Sequence, residues 1–211
     1  MSEGAARGRF ITLEGGEGAG KSTQARRLAA HLSDQGVPVL VTREPGGSAG
    51  AEKIRALLLD GTGFDPVAEA MLMFAARREH VVATIRPALA AGMWVICDRF
   101  ADSTRAYQCH GQGVPGEVYR KLADLALEGL APDLTLILDI PPEAGMARAA
   151  ARGVAADRYE RLDAGFHARV RAGFLSIAAA EPARCAVVDA TRDAEAVFAA
   201  IRAELGARLG I

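Results

Sequence analysis

A chain of 211 residues is long enough to bury a full hydrophobic core and is most simply one domain. Its formal net charge of -1 argues against a long nucleic-acid footprint or a membrane-surface protein, and its 50% hydrophobic content argues against disorder. Three cysteines (Cys97, Cys109 and Cys185) are widely spaced without a Cys-x-x-Cys pair, so neither a disulfide framework nor a zinc site is indicated.

The first ten residues contain no apolar segment typical of an export signal, and no stretch approaches the ~18 apolar residues of a membrane span. We therefore expect a cytoplasmic protein. Short apolar runs then alternate with segments whose apolar residues recur every three or four positions. The predicted strands are residues 10–13, 37–41, 94–97, 134–138 and 185–188. The predicted helices are residues 22–35, 51–59, 68–91, 116–130, 142–151, 164–180 and 194–209.

Fully apolar strands that are joined by helices are typical of a parallel sheet with helices on both faces. The pattern predicts a three-layer α/β domain of the P-loop NTPase type, with a five-stranded parallel sheet. We expect the domain to span residues 1–211.

A glycine-rich loop, residues 15–22, lies between the first predicted strand and the first predicted helix. It matches the pattern G-x-x-x-x-G-K-[ST], and we call it the phosphate loop. Glycines let main-chain N–H groups converge on phosphate oxygens, and the helix that follows points its positive end at the same anion. The pattern predicts that Lys21 bridges the β- and γ-phosphates of a nucleoside triphosphate and that the Ser22 hydroxyl binds Mg²⁺. The predicted ATP-binding residues of the loop are Gly15, Gly16, Gly18, Ala19, Gly20, Lys21, Ser22 and Thr23.

Charged residues follow two of the other predicted strands, at the sheet edge where α/β proteins bind ligands. Arg43 comes after the second strand, and Asp98 and Arg99 come after the third. Guanidinium groups hold phosphate bidentately, so Arg43 and Arg99 are candidates for binding a second phosphate that faces the loop. Asp98 is a candidate for ordering the Mg²⁺ ion.

These residues leave three classes open. The chain could be a phosphotransferase with a small acceptor, a switch or partition ATPase, or a module that only binds nucleotide. The switch reading does not explain the arginines that follow the second and third strands. Within the first class, other nucleoside or nucleotide kinases stay open as alternatives.

Six further motifs occur in order along the chain. They are residues 42–47 (TREPGG), 54–59 (IRALLL), 75–77 (AAR), 86–89 (RPAL), 98–100 with 103–108 (DRF, STRAYQ) and 132–136 (PDLTL). With the phosphate loop, they make the chain resemble the bacterial thymidylate kinase family over essentially its whole length. The resemblance implies transfer of the γ-phosphate of ATP to dTMP with Mg²⁺, and a homodimer.

The resemblance also implies roles for individual residues. Glu17 would meet the deoxyribose 3′-hydroxyl and orient Arg99. Arg43 and Arg99 would bind the dTMP phosphate, with Arg55 nearby. The base and the sugar would be contacted by Arg77, Ser103, Thr104, Tyr107 and Gln108.

One position departs from the family pattern. The family commonly has a phenylalanine four residues before the arginine that contacts thymine, where it stacks on the base. Here Met73 occupies that position before Arg77, and Phe74 stands one residue later. We expect Met73 to pack on the base because a thioether packs well on an aromatic ring.

A short mobile lid is expected at about residues 148–162, where a predicted helix breaks at Gly153 among several arginines. Family members carry a catalytic arginine either in the phosphate loop or in this lid. Since the loop here has no arginine, the resemblance implies the lid variant. The candidates are Arg148, Arg152 and Arg158.

Overall fold

Five parallel strands form one central sheet in the computed structural model, which describes residues 7–151 and 158–211. The strands are β1 (Phe10–Glu14), β2 (Val39–Arg43), β3 (Trp94–Asp98), β4 (Leu134–Asp139) and β5 (Cys185–Asp189). They lie in the order β2-β3-β1-β4-β5. The predicted fold class, a five-stranded parallel sheet flanked by helices, is confirmed.

The central strand shows why this sequence forms a parallel sheet. All five residues of β1 are buried, as a strand covered on both faces requires. Ile11 pairs with Ile96 of β3 on one side and with Leu134 of β4 on the other. The second strand begins two residues later than predicted because Pro38 has no N–H to donate, although its carbonyl still accepts from the Trp94 N–H at 2.7 Å.

Helices cover both faces of this sheet. In the described part of the chain they are α1 (Lys21–Asp34), α2 (Ala49–Leu59), α3 (Pro66–His80), α4 (Arg86–Ala90), α5 (Ala101–Thr104), α6 (Gly116–Leu127), α7 (Pro142–Ala150), α8 (Ala164–Ala180) and α9 (Ala194–Leu209). Two π-helical segments, Val81–Ile85 and Arg105–Gly111, continue α3 and α5. Within residues 7–151 and 158–211, no helix combines the length and the apolar character that a bilayer span needs.

Helix starts follow local capping chemistry. The Asp65 carboxylate accepts from the N–H groups of Val67 and Ala68, and Pro66 occupies the first turn of α3. Asp163 and Asp193 cap α8 and α9 in the same way. Such caps satisfy N–H groups that have no partner within the helix.

The helical stretches differ from the prediction in two places. The single helix predicted over residues 68–91 is interrupted by the π-helical segment before α4, where Pro87 cannot donate an N–H to the preceding turn. The helical residues 101–111 were not predicted as a helix at all. Their small hydroxyl side chains, Ser103 and Thr104, favour helix interiors weakly, so the pattern there is faint. Tyr107 and Gln108 of the second π-helical segment line the cavity described next, and such segments often occur at functional sites.

Candidate active site

An open cavity of about 610 Å³ lies at the carboxyl ends of β1, β2 and β3. Seventeen of the residues proposed from the sequence line its wall: Glu17, Gly18, Gly20, Lys21, Ser22, Thr23, Arg43, Arg55, Met73, Arg77, Asp98, Arg99, Ser103, Thr104, Tyr107, Gln108 and Arg148. Five other proposed residues do not line the cavity: Gly15, Gly16, Ala19, Phe74 and Arg158. Arg152 lies outside the described residues.

The phosphate loop turns tightly between β1 and α1. Gly18 has a φ of +68°, and a Cβ there would stand 1.9 Å from the Gly145 carbonyl oxygen. No side chain caps the start of α1. Its first-turn N–H groups therefore face the loop, which is the arrangement that binds anions at helix N-termini.

Lys21 is held inside this loop. Its Nζ donates to the carbonyl oxygens of Gly15 at 3.1 Å and Gly16 at 2.8 Å. Burial, followed by the nearby Arg99 charge, lowers the pKa of Lys21 to about 8. The lysine is thus a cation fixed at the loop, at the position where the pattern predicted it.

Two side-chain oxygen atoms that could bind a metal ion lie close together beside the loop. The Ser22 hydroxyl donates to Asp98 Oδ2 at 2.5 Å. A hydroxyl and a carboxylate are hard oxygen ligands of the kind that Mg²⁺ prefers, and Mg²⁺ keeps several waters besides such ligands. The donor set at this point therefore fits a nucleotide-bound Mg²⁺ ion, with Ser22 and Asp98 on its protein side.

Arg99 sits between the phosphate loop and the third strand. Its guanidinium donates to Gly15 O at 3.0 Å, Glu17 Oε1 at 2.7 Å, Tyr107 Oη at 2.9 Å and Ser103 Oγ at 3.1 Å. Burial alone would raise the pKa of Glu17, but the charges of Arg99 and then Lys21 lower it to about 2. Glu17 is therefore ionised at any working pH.

The backbone at Arg99 is unusual. Its φ is +71°, in the left-handed region that residues with a Cβ rarely adopt. The Arg99 N–H donates to Leu13 O at 2.9 Å, and the next N–H, that of Phe100, donates to the buried Glu14 carboxylate at 2.7 Å. These contacts hold a strained turn, and its effect is to aim the guanidinium back at the phosphate loop.

Two further arginines meet at the loop that follows β2, one from the end of β2 and one from α2. Arg43 donates to Pro45 O at 3.0 Å, and Arg55 of α2 donates to the same oxygen at 2.7 Å. Arg43 also pairs with Glu52 at 3.1 Å. Both arginines line the cavity.

Arg77 of α3 forms the floor of the cavity and is only 3% exposed. It donates to Glu44 Oε2 at 2.7 Å, Thr104 Oγ1 at 3.1 Å and Phe100 O at 2.9 Å. Gln108 donates to the buried Glu69 carboxylate at 2.8 Å. These side chains are already ordered by the protein, so a ligand would meet a preformed surface.

Met73 and Phe74 face different surroundings. Met73 lines the cavity one helical turn before Arg77, on the same face of α3. The ring of Phe74 packs edge-on against Tyr119 of α6, with centroids 5.5 Å apart. The structure thus agrees with the choice of Met73 for the cavity and gives Phe74 a core position.

The two lid arginines that the structure describes, Arg148 and Arg158, have different surroundings. Arg148 lines the cavity and donates to the carbonyl oxygens of Ala190 at 2.6 Å and Thr191 at 2.8 Å. The Arg158 guanidinium pairs with Glu69 and lies over the Tyr159 ring, 5.2 Å from its centroid. In this arrangement the Arg158 guanidinium faces Glu69 of α3 rather than the phosphate loop.

Sequence reasoning did not single out several buried polar side chains at the site. Glu44 and His80 pair beneath Arg77, and Glu69 accepts hydrogen bonds from Gln108, Gln112 and Tyr159. Glu44 stands inside a motif that was recognised, so its position was available as a signal. The helical pattern contained no signal that Glu69 or His80 would lie at the site.

The chain was compared with known proteins. The family model described as thymidylate kinase matches residues 13–201. A protein from Caulobacter vibrioides named thymidylate kinase is 55% identical over 206 residues, covering 97% of this chain and 99% of the relative. A thymidylate kinase from Chromohalobacter salexigens is 52% identical over 205 residues, with 96% and 97% covered. The crystal structure of thymidylate kinase from Ehrlichia chaffeensis superimposes with a TM-score of 0.77 at 38% identity, covering 94% of this chain and 98% of that one. The chain belongs to the thymidylate kinase family.

Proposed function

We propose that the chain is a single nucleoside monophosphate kinase domain that phosphorylates dTMP to dTDP with ATP and Mg²⁺. The observation that carries the proposal is that two sets of phosphate-binding groups line one cavity. One set is the phosphate loop with Lys21, and the other is Arg43, Arg55 and Arg99. Membership of the thymidylate kinase family supports the choice of dTMP as acceptor.

On the donor side, the phosphate loop binds the ATP phosphates through its main-chain N–H groups, and Lys21 neutralises the β- and γ-oxygens. Ser22 and Asp98 hold the Mg²⁺ ion, which supplies charge neutralisation at the phosphates when bound. Gly15, Gly16, Ala19 and Thr23 shape or extend the loop. Arg148, whose guanidinium lines the same cavity, completes the ATP side.

On the acceptor side, Arg43, Arg55 and Arg99 bind the dTMP phosphate and hold it in line with the donor. Arg77, Thr104 and Gln108 contact the base edge, and Met73 packs on its face. Glu17 and Tyr107, whose hydroxyl donates to Glu17 Oε1 at 2.7 Å, lie beside the sugar, with Ser103 behind Arg99.

The chemistry that the side chains must supply is positioning and charge compensation. The attacking group is a phosphate oxygen that is already ionised at neutral pH, so a general base has nothing to remove. Arg99 is suited to act on both phosphates because it touches the phosphate loop at Gly15 and the acceptor residues Glu17 and Tyr107 at once.

A panel of nucleoside monophosphates tests the function. We expect dTMP to accelerate ADP release from ATP and Mg²⁺ far more than dCMP, dUMP or AMP does, in a coupled assay. If another monophosphate is preferred, the choice of dTMP is wrong. If none accelerates ADP release, the chain is not a monophosphate kinase, and the hypothesis of a switch or partition ATPase is favoured instead.

The lid, residues 148–162, is proposed to supply a cation to the transferred phosphoryl group and to exclude water. An arginine in this role contributes a thousandfold or more to kcat in other phosphoryl-transfer enzymes. We expect Arg152→Ala or Arg158→Ala to lower kcat far more than the affinity for dTMP. Because Arg158 pairs with Glu69 here, the larger loss is expected for Arg152→Ala. Steady-state kinetics that leave kcat intact in both variants would contradict a catalytic lid.

A homodimer is proposed from the apolar surface around α3 and α6. Met71 is 53% exposed, Val82 49% and Leu125 78%, although α3 and α6 pack together. Large apolar side chains exposed on neighbouring helices are typical of a protein interface. We expect sedimentation equilibrium at micromolar concentration to give twice the chain mass of 22.1 kDa, and Met71→Glu to shift the mass toward the monomer. A wild-type protein that sediments as a monomer would contradict the dimer.

A cytoplasmic location is also proposed. The reaction consumes ATP, and Cys97, Cys109 and Cys185 are free thiols, which a reducing compartment maintains. Cell fractionation that recovers the kinase activity outside the cytoplasm would contradict this location.

A further inference from the structure

Beneath Arg77 lies a chain of buried hydrogen bonds that links it to the second strand. Arg77 Nε donates to Glu44 Oε2 at 2.7 Å, and Glu44 Oε1 lies 2.9 Å from His80 Nδ1. His80 Nε2 lies 2.7 Å from Thr42 Oγ1. Arg77 and Glu44 are 3% exposed at the side chain, and His80 is 0% exposed. The four side chains (Thr42, His80, Glu44 and Arg77) form a relay that solvent does not reach except at its two ends.

Every polar atom of the relay has a partner in one protonation state. If Thr42 donates to His80 Nε2, then His80 Nδ1 carries the proton and donates to Glu44, whose second oxygen accepts from Arg77. The one buried negative charge then faces the one buried positive charge. Such a fully paired network is rigid, whereas removing one member leaves a buried charge or hydrogen-bonding atom without a partner.

The relay fixes the direction of the Arg77 guanidinium. Three of the five N–H donors of an arginine are used here by Glu44, Thr104 and Phe100 O, and the group also lies over the rings of Phe74 at 4.8 Å and Phe100 at 5.4 Å. The guanidinium cannot rotate without losing these contacts. Arg77, which lines the cavity, is therefore held in one orientation, and two of its N–H groups are not used by these contacts.

The same relay sets the position of the loop that binds the acceptor phosphate. Glu44 is followed by Pro45, whose carbonyl accepts from Arg43 and Arg55. Gly47 packs so closely on His80 that a Cβ would lie 2.4 Å from Nε2. One short segment thus joins the base-contacting arginine to the two phosphate-binding arginines, and His80 holds that segment against α3.

A metal ion is the other reading of this cluster, since Glu44, His80 and Cys97 offer ligand atoms within 4.8 Å of one another. The contacts argue against it. The carboxylate and imidazole atoms are already hydrogen-bonded, and Cys97 Sγ donates to Arg99 O at 3.0 Å.

We propose that Glu44 and His80 are positioning residues for base selection: they hold Arg77 so that its remaining N–H groups donate to a base with a carbonyl oxygen and oppose a base with an amino group. This inference rests on the proposed function. Thymine has a carbonyl oxygen, an acceptor, at the position where cytosine has an amino group, a donor. An Arg77 N–H donor whose orientation is fixed can bond to the oxygen but not to the amino group, so it discriminates between the two bases.

The test measures kcat/KM for dTMP and for dCMP in Glu44→Gln, His80→Asn and Thr42→Val. We expect Glu44→Gln to lower kcat/KM for dTMP roughly tenfold to hundredfold, mainly through KM, while dCMP changes by less than about threefold. His80→Asn, which keeps a donor near the Nδ1 position, should lose less than His80→Ala. Thr42→Val should show the smallest change in the same direction. Glu79→Gln, an exposed carboxylate of the same helix, is the matched control and should behave as wild type.

The outcomes separate the inference from the proposed function. If wild type discriminates between dTMP and dCMP but the folded Glu44→Gln variant keeps the same ratio, the positioning role is wrong and the function stands. If wild type does not phosphorylate dTMP, both are wrong. If melting curves show that Glu44→Gln does not fold, an unchanged dTMP/dCMP ratio in both His80→Asn and Thr42→Val overturns the proposal.

Discussion

Lys21→Ala is expected to lower kcat by two to three orders of magnitude, because it removes a preorganised cation at the phosphates where charge develops. Lys21 is fixed by Gly15 O and Gly16 O before any ligand binds, so little reorganisation is needed during the reaction. Single-turnover kinetics with saturating ATP and dTMP measure this loss directly. A kcat within about fivefold of wild type would show that Lys21 does not contribute to phosphoryl transfer.

The lowered pKa of Lys21 adds a pH dependence with a definite sign. In the proposed function the protonated lysine is the active form, and with a pKa of about 8 in the free protein it is lost as the pH rises through that value. We expect kcat/KM for ATP, which reports the free enzyme, to fall above pH 8. Bound phosphates favour the charged lysine, so kcat should begin to fall at a higher pH than kcat/KM does.

Lys21→Arg is the control for this pH limb, since a guanidinium stays charged across the whole range. Burial, with the nearby Asp102 charge, raises the pKa of Glu14 to about 8 as well. A decline above pH 8 that persists in the residual activity of Lys21→Arg therefore does not come from Lys21. A decline that disappears belongs to Lys21.

The phosphate loop could be predicted from the sequence because its residues are contiguous and its chemistry is local. Glycines, a lysine and a hydroxyl at fixed spacing between a strand and a helix specify a binding surface with no help from the rest of the chain. The five strands could be predicted for a similar reason. Their apolar runs are continuous, as is typical of parallel strands such as β1 that are buried on both faces.

The buried relay could not be predicted because its members come from separate elements. His80 looks like one more polar residue of a long helix, and only the packing of α3 against the loop after β2 brings it to Glu44. The same holds for Glu69, whose partners Gln108 and Tyr159 are 39 and 90 residues away along the chain. The π-helical segments add to this difficulty, since they shift the register on which helical pattern reading depends.

Arg99→Ala and Arg99→Gly are both expected to lower kcat/KM by on the order of a thousandfold, yet they should differ in stability. Each variant removes the guanidinium that links the phosphate loop to Glu17, Ser103 and Tyr107. Arg99→Lys should recover little activity, because an ammonium group cannot make this set of contacts in one plane.

The stability difference follows from the backbone at position 99, where φ is +71°. Glycine adopts this conformation freely, whereas alanine retains the Cβ that makes it unfavourable, so Arg99→Gly should be more stable than Arg99→Ala by about 1 kcal/mol. Urea unfolding at neutral pH measures the difference. A glycine at this position would be more stable but inactive. The strain is therefore retained because the turn places the Arg99 guanidinium beside the phosphate loop. Equal stabilities would show instead that contacts of the turn, such as Phe100 N–H to Glu14, impose no cost on a Cβ at this position.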